Sequence, residues 1–317
     1  ARFAAERPGM PMPARPLPDY QPRERHVLVD RVGDVVVVTL RRPEALNALH
    51  DEMTDEVLAA IRRHEDDPAV AGFVITGYGL KAFCAGADIG RFPSLLGDAQ
   101  AAAQYARECS RLLVHLDAAR KPVVAALNGL ALGGGFELAM RCHAIVADRG
   151  ARMQLPEVTL GIVPGIGAMV VPYRRWPQAA EVFHRMLARG ERLSAAQAHE
   201  LGIADALADG FDALVACAID RVHALAGAVP RIAERAPAPP RLQTDATPPR
   251  SADGRVLSAA VVGVIARAVH DAAAAPTLAE ALEVGYRAFG EVACTAAARE
   301  GIEAFLAHRA PDFGATG

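Results

Sequence analysis

One glycine-rich segment has the residue types that could stabilise a developing negative charge. Gly133, Gly134 and Gly135 follow a strand-like apolar run and lead directly into a sequence typical of a helix start. The first amides of a helix have no intrahelical acceptor and lie at its positive end, and glycine lets another molecule approach them closely. The segment could therefore bind an oxyanion. Tight packing of a helix on a sheet would also explain the glycines, and Glu137 in the first turn could simply complement the helix dipole.

Two further segments contain candidate partners for this turn. Residues 81–89 form a loop of small residues after a predicted strand, and this loop could supply a second backbone donor. Two donors from separate loops make an oxyanion hole, whereas one makes only a turn. Residues 155–165 place Glu157 among apolar neighbours, so we expect burial and a raised pKa for this carboxyl. A solvated loop carboxylate is the alternative interpretation of Glu157.

The elements that would position these residues alternate between strands and helices. The apolar patterns predict a hairpin, four further strands and three helices in the first half of the chain: 26–30 with 34–40; 71–76, 122–127, 144–147 and 152–154; and 51–64, 101–116 and a helix starting at 136. This alternation indicates an α/β fold with several parallel strands. From residue 178 onward the pattern is helical, with predicted stretches at 178–188, 194–201, 211–225, 259–273 and 277–307.

Composition restricts the classes of function. The 317 residues carry 34 basic and 37 acidic side chains, a net charge of -3, which provides no positive field for a nucleic acid or an anionic membrane. The apolar runs are interrupted well before the roughly 20 residues that a membrane span needs. Five widely spaced cysteines without a CxxC pair argue against a disulfide framework or a zinc knuckle. We therefore expect a cytoplasmic protein without a nucleic-acid or membrane partner.

Proline content marks two segments as irregular. Residues 1–25 and 230–249 each contain six prolines and no regular period. We predict a proline-rich tether over 1–25, a core over 26–208, and a helical C-terminal region over 209–317 that serves oligomerisation or covers the site and contains a loop at 230–250. The chain begins at Ala1 rather than methionine, and we expect that it was cut from a longer polypeptide.

Taken in order and spacing, these segments resemble the crotonase family, the enoyl-CoA hydratase and isomerase superfamily. The similarity covers about residues 26–208 and the closing helix, and its motifs are residues 42–49, 81–89, 133–137, 194–202 and 300–306. The resemblance implies an α/β fold with a crotonase-like (ClpP/crotonase) ββα spiral core and a helical C-terminal region. It also implies assembly as a homotrimer or a hexamer.

The resemblance further implies a role for each matching residue. In these enzymes two backbone amides bind the thioester carbonyl of the substrate, and the matching positions here are Ala87 and Gly134. Hydratases use two glutamates. Glu137 would activate or orient the water that attacks Cβ, and Glu157 would exchange the proton at Cα. The positions that match contacts with the acyl-CoA are Ala45, Lys81, Ala87, Asp88, Ile89, Gly90 and Gly134.

By this resemblance the chain is an enoyl-CoA hydratase. It would reversibly add water to a trans-2-enoyl-CoA, giving a 3-hydroxyacyl-CoA through a thioester enolate held in the oxyanion hole. We expect a place in fatty-acid β-oxidation, an acyl-CoA thioester as the partner, no metal, and no cofactor besides the coenzyme A of the substrate. The alternatives are an enoyl-CoA isomerase, another crotonase-type acyl-CoA hydrolase or lyase, and a non-catalytic acyl-CoA-binding module. Isomerases commonly keep only the acid that matches Glu157, so Glu137 favours hydration.

Two features depart from a simple hydratase. Residues 166–176 differ from the family pattern next to the acyl pocket, where Met169, Val170, Tyr173 and Trp176 could shape it, and we expect Trp176 to serve packing. The proline-rich start also resembles a hydratase module linked to a 3-hydroxyacyl-CoA dehydrogenase. Residues 129–135 lack the GxGxxG spacing of a dinucleotide site, so we do not expect this chain to bind NAD.

Overall fold

The computed structural model describes residues 25–237 and 248–314. They divide into two compact units. Unit 1 consists of the described parts of Ala1–Ala87, Leu112–Met153 and Ser194–Arg231, and unit 2 of those of Asp88–Arg111, Gln154–Leu193 and Ile232–Gly317. Nearly all of the predicted tether and the middle of the predicted loop at 230–250 lie outside the described residues.

Ten strands are present in the described residues: β1 Val27–Val32, β2 Val35–Leu40, β3 Gly72–Gly77, β4 Ala82–Cys84, β5 Val123–Leu127, β6 Leu130–Leu132, β7 Ala144–Asp148, β8 Arg152–Gln154, β9 Arg192–Ser194 and β10 Ala206–Ala208. The main sheet of unit 1 has the strand order β1-β2-β3-β5-β7-β10. Its first pair is antiparallel and the other neighbours are parallel. Beside it in the same unit, β4 pairs in parallel with β6.

The described residues also contain eleven α-helices: α1 Asp51–His64, α2 Ala99–Cys109, α3 Arg111–Ala118, α4 Gly134–Arg141, α5 Val171–Arg175, α6 Ala180–Arg189, α7 Ala195–Glu200, α8 Phe211–Leu225, α9 Ala259–Ala274, α10 Leu278–Ala293 and α11 Ala296–Leu306. Four short 3-10 helices cover Pro43–Ala45, Ile89–Leu95, Glu157–Leu160 and Pro177–Ala179. None of the helices in the described residues is long and apolar enough to cross a membrane.

The core of unit 1 lies on the main sheet. All six residues of β2 are buried, as are all six of β3, because a parallel sheet covered on both faces needs apolar residues throughout its strands. Helix α8 packs Leu214, Ala218 and Val222 onto valines of these strands. This sheet is the platform from which the loops of the site extend.

The C-terminal helices form the bulk of unit 2. Ser258, Thr277 and Thr295 each cap the helix that follows, since their hydroxyls accept hydrogen bonds from amides in its first turn. Helix α10 packs closely on α2. A Cβ on Gly290 would run into the carbonyl group of Ala99 and lie 3.2 Å from the Cβ of Ala103.

The α/β class and the helical C-terminal region are confirmed, while two single helices were predicted where the chain has pairs. The helix predicted over 101–116 is interrupted at Ser110, between α2 and α3. The stretch predicted over 277–307 ends at Cys294 and restarts after Thr295, whose side chain caps α11. Apolar periodicity runs across both breaks, so it does not reveal them.

Candidate active site

The triple-glycine turn has a backbone that only glycine adopts readily. Gly133 has φ 47° and ψ −125° and is the N-cap of α4, a conformation in which a Cβ would be strained. Gly134 begins the helix, and the first intrahelical hydrogen bond runs from the amide of Glu137 to the carbonyl of Gly133 at 2.9 Å. The amides that precede it in the first turn point out of the helix end.

The loop after β4 lies beside this turn because β4 and β6 are neighbouring parallel strands. Gly86 has φ 105°, and a Cβ built on it would be 3.2 Å from the carbonyl oxygen of Leu132 and 3.8 Å from the amide nitrogen of Gly134. The amide of Leu49 donates to the carbonyl of Gly86 at 2.8 Å, and Ala87 forms a parallel bridge with Leu49. Three chain segments thereby fix the loop.

The two predicted oxyanion donors therefore lie on adjoining loops of unit 1. Within residues 25–237 and 248–314, the amide nitrogens of Ala87 and Gly134 have no hydrogen-bond acceptor. Backbone amides that are fixed but not engaged are the donors an oxyanion hole requires. Their convergence on one carbonyl oxygen stays a prediction.

Cys84 forms the support beneath the turn, which the sequence did not single out. A Cβ on Gly135 would run into the carbonyl oxygen of Cys84 and lie 2.7 Å from both its Cβ and its Sγ. The thiol is buried and donates to the carbonyl of Gly86 at 3.7 Å. Burial raises the pKa of Cys84 to about 12, so this side chain is a neutral packing group rather than a nucleophile.

Glu137 lies in the first turn of α4 and is 2% exposed. A carboxylate in this position is favoured by the positive end of the helix dipole. One turn further along, the buried Arg141 pairs with Asp117 through two hydrogen bonds, one of them 2.8 Å from Nε to Oδ1. This ion pair anchors the helix that carries both Gly134 and Glu137.

Glu157 belongs to unit 2, where it begins the 3-10 helix Glu157–Leu160 and is 9% exposed. This short helix ends at Gly161, which has φ 65°. Helix α11 holds it in place, since a Cβ on Gly161 would lie 2.8 Å from the carbonyl carbon of Ala297 and one on Gly301 would run into the carbonyl of Leu160. The closing helix therefore sets the position of this acid.

The remaining candidates for acyl-CoA contacts are distributed over both units. In unit 1, Ala45 ends the 3-10 helix Pro43–Ala45, and Lys81 is exposed in the segment before β4. The buried Asn47, at φ 60°, joins these two segments by donating to the carbonyls of Tyr78 and Ala82 at 3.1 and 2.9 Å. Sequence reasoning did not identify Asn47 as the residue whose hydrogen bonds join these two segments.

In unit 2, Asp88 is the N-cap of the 3-10 helix Ile89–Leu95, and its carboxylate accepts from the amide of Gly90 at 3.1 Å. Ile89 and Gly90 form the first turn of this helix. The structure thus gives Asp88 a local structural role, and its contact with an acyl-CoA stays a prediction.

The residues expected to shape the acyl pocket are buried in unit 2. Met169, Val170 and Tyr173 are at most 2% exposed, and burial raises the pKa of the Tyr173 phenol. Trp176 stacks on Phe183 with ring centroids 5.8 Å apart. Its role in packing agrees with the prediction.

Comparison with known proteins gives a consistent family. Residues 30–252 match the family model described as "Enoyl-CoA hydratase/isomerase". The chain is 39% identical over 169 residues to the mitochondrial enoyl-CoA hydratase of Pongo abelii, covering 53% of this chain and only 56% of that protein. It is 32% identical over 288 residues to a probable enoyl-CoA hydratase of Rhizobium meliloti, covering 90% of this chain and 97% of that protein.

A solved structure supports the fold. The chain is similar to a carnitinyl-CoA dehydratase from Mycobacterium thermoresistibile with a TM-score of 0.71 and 24% identity, over 90% of this chain and 91% of that one. Such a likeness concerns the fold alone, and it confirms the predicted crotonase-like class. Together with the matched family model, it leads to one assignment: the chain belongs to the enoyl-CoA hydratase/isomerase family, the crotonase superfamily.

Proposed function

We propose that the chain is an enoyl-CoA hydratase that adds water reversibly to a trans-2-enoyl-CoA. The observation that carries this proposal is the arrangement in unit 1, where the loop ending in Ala87 adjoins the turn at Gly134 and a buried glutamate lies on the first turn of the same helix. The relatives named as hydratases support the same reaction.

The first task of the site is to polarise the thioester. The amides of Ala87 and Gly134 donate to its carbonyl oxygen, which gains negative charge when a nucleophile attacks Cβ. Each fixed donor of this kind contributes about 10²–10³ in kcat, because it stabilises the enolate oxygen more strongly than the ground-state carbonyl.

The two acids would move the protons. As the water oxygen forms its bond to Cβ, Glu137 accepts the proton of the water and the π electrons shift onto the thioester as an enolate. Glu157 then gives a proton to Cα, the enolate returns to a carbonyl, and the product is a 3-hydroxyacyl-CoA. Exchange with solvent resets both carboxyl groups. Glu137 and Glu157 are both buried, and positioned carboxyl groups are among the side chains that serve as general acids and bases, which supports these roles.

The finer setting is also a proposal. We infer a homotrimer or hexamer in the cytoplasm that uses no cofactor beyond the coenzyme A of its substrate, acts in β-oxidation and is linked to a 3-hydroxyacyl-CoA dehydrogenase activity. No disulfide joins any of the five cysteines, all of which lie in the described residues, and this supports a reducing compartment. Phe305 and Leu306, which are 45% and 52% exposed at the end of α11, support an oligomer contact. Light scattering during size-exclusion chromatography measures the mass of the assembly.

Replacement of either acid by glutamine tests the reaction. E137Q and E157Q should each lower hydration of crotonyl-CoA by about 10²–10⁴, because each removes one proton-transfer group. Loss of the conjugated-thioester absorbance measures the rate, and circular dichroism checks the fold. The matched control is E200Q, the same change at an exposed position at the end of α7, which should keep the parent rate.

The alternatives have their own outcomes. Parent-like turnover by either site variant would reject the two-acid mechanism. Conversion of a 3-enoyl-CoA, with no hydration of the 2-enoyl isomer, would assign the chain to isomerisation instead. Binding of crotonyl-CoA without any product would indicate a non-catalytic module.

A further inference from the structure

Two imidazoles and one carboxylate come together in unit 1 where β1 meets α1. The potential ligand atoms of His26, His50 and Glu52 all lie within 4.8 Å of one another. Nε2 of His26 is 3.0 Å from Oε2 of Glu52. The rings of the two histidines contact edge to face, with centroids 4.4 Å apart and planes at 84°. None of these three residues has a part in the proposed hydration.

Hydrogen bonds join the two segments that carry the three side chains. His50 is the N-cap of α1, but its side chain makes no capping hydrogen bond, and Glu52 lies in the first turn of the same helix. One turn further, the carboxylate of Glu56 accepts hydrogen bonds from the amides of His26 and Val27 at 2.6 and 3.1 Å. The start of β1 is thereby tied to the helix that supplies the other two groups, and a supported framework of this kind favours metal binding.

The donor set and its spacing suit zinc. Zn²⁺ binds imidazole nitrogen and carboxylate oxygen at about 2.0–2.2 Å in tetrahedral geometry, which places neighbouring ligand atoms about 3.3 Å apart. Nε2 of His26 and Oε2 of Glu52 are 3.0 Å apart as hydrogen-bonded partners, so they would have to separate by only about 0.3 Å to hold a zinc ion between them. The side chain of Glu52 is 70% exposed, so it can rotate without repacking the core.

Open space adjoins one member of the cluster, His26. A cavity of about 300 Å³ is lined by this residue together with Arg25, Arg41, Pro43 and Glu44. Three protein ligands with one open position leave a zinc ion with a bound water molecule.

We propose that His26, His50 and Glu52 form a site for a divalent transition metal of the zinc type, and that the metal fastens the start of β1 to the first turn of α1. This metal site does not conflict with the expectation that hydration needs no metal, because its three residues are not among those assigned to that reaction. An ordinary surface pair looks different. His223 and Asp34 are 2.8 Å apart, and among the described residues no third ligand joins them.

Zinc binding by matched variants tests the proposal. All proteins are untagged and carry Cys294→Ser, which removes the exposed thiol as a competing ligand. Equilibrium dialysis against Zn²⁺ should give one ion per chain in this parent. H26Q and H50Q should each bind at least about tenfold more weakly, whereas H223Q, which removes the histidine of the two-membered pair, should bind as the parent does. Parent-like affinity in H26Q or H50Q, or no binding by the parent, would overturn the proposal.

A second measurement uses the parent alone and does not depend on the folding of the histidine variants. X-ray absorption at the zinc edge of the loaded parent should show two imidazole ligands and otherwise oxygen. One imidazole or none, or a sulfur ligand, would refute the site. The melting temperature of the parent should rise with added Zn²⁺, because a ligand that binds only the folded state stabilises it. An unchanged melting temperature would contradict the clamp between β1 and α1.

Discussion

Substitution of Gly135 by alanine should displace the oxyanion turn while leaving both acidic side chains, Glu137 and Glu157, in the sequence. It therefore tests the effect of the turn's position on the rate apart from the loss of an acid. The new Cβ would lie 2.7 Å from the Cβ of Cys84, whereas ordinary contacts between carbon atoms are about 3.5–4.0 Å. The first turn of α4 must therefore retreat by about 1 Å. A misplacement of this size costs about 10²-fold in rate, because Gly134 moves with Gly135. The strain should also lower the free energy of unfolding by about 1–3 kcal/mol.

The assay is hydration of crotonyl-CoA, with kcat and KM determined separately, together with urea unfolding. The control is Gly263→Ala on an exposed face of α9, where a new Cβ would meet no atom within 4 Å. Alanine there should raise the free energy of unfolding by about 0.5–1 kcal/mol and leave kcat unchanged. A G135A protein with parent kcat and parent stability would refute the view that Cys84 supports the turn at close contact.

Two further predictions concern the groups around the turn. Asp117→Asn removes the negative charge facing the guanidinium of Arg141, whose side chain is fully buried, and should lower the free energy of unfolding by about 3–5 kcal/mol. The control, Asp209→Asn, removes the charge of an exposed pair with Arg149 and should change the free energy of unfolding by less than about 1 kcal/mol. Equal losses in the two variants would contradict the view that burial makes the Arg141 pair important. Stability should also fall above pH 9, because burial raises the pKa of the Cys84 thiol from 9.0 in the unfolded chain to about 12 in the folded chain. Between these two values the unfolded state binds fewer protons than the folded state. The free energy of unfolding therefore falls by up to about 1.4 kcal/mol per pH unit. Urea unfolding from pH 8 to 11 should show a smaller decline in Cys84→Ala, and identical slopes in the two proteins would exclude the thiol as the cause.

Elements with a strong period are recovered well from the sequence. The helix predicted over 51–64 coincides with α1, since Met53, Val57 and Ile61 recur at four-residue intervals and are all buried. The hairpin is also recovered, because its second strand is a continuous valine run that a buried strand requires.

Two of the short strands, β4 and β6, were missed for a physical reason, although β8 was predicted over the residues it occupies, 152–154. β4 and β6 are three residues each, and both fall in segments interpreted as a loop and a glycine turn. Strands of this length have too few residues to display a period of two. They exist because each supplies the other with hydrogen bonds, and such pairing between distant segments leaves no local pattern.

The candidate site shows the same division. The motif around Gly134 carries its own signal, since three consecutive glycines disfavour a helix unless close packing or an unusual backbone conformation requires them. The supports of the site carry none. The buried Asn47 donates hydrogen bonds to carbonyls more than thirty positions away along the chain. Glycine is needed at Gly301 because the carbonyl of Leu160 occupies the space that a side chain would fill. The catalytic roles of Glu137 and Glu157 stay predictions.

Asn128 and Gly129 form the dipeptide in which asparagine deamidates most readily, because glycine leaves its own nitrogen free to attack the side-chain amide. Here the side chain is 6% exposed, and Nδ2 donates to the carbonyls of Gly77 and Gly79 at 2.9 and 2.6 Å. The folded chain thus protects the side-chain amide of Asn128 from deamidation. If local unfolding exposed Asn128 and allowed its conversion to aspartate, the new carboxylate would face those two carbonyl oxygens. The repulsion would oppose refolding, so the deamidated form would accumulate as the protein ages.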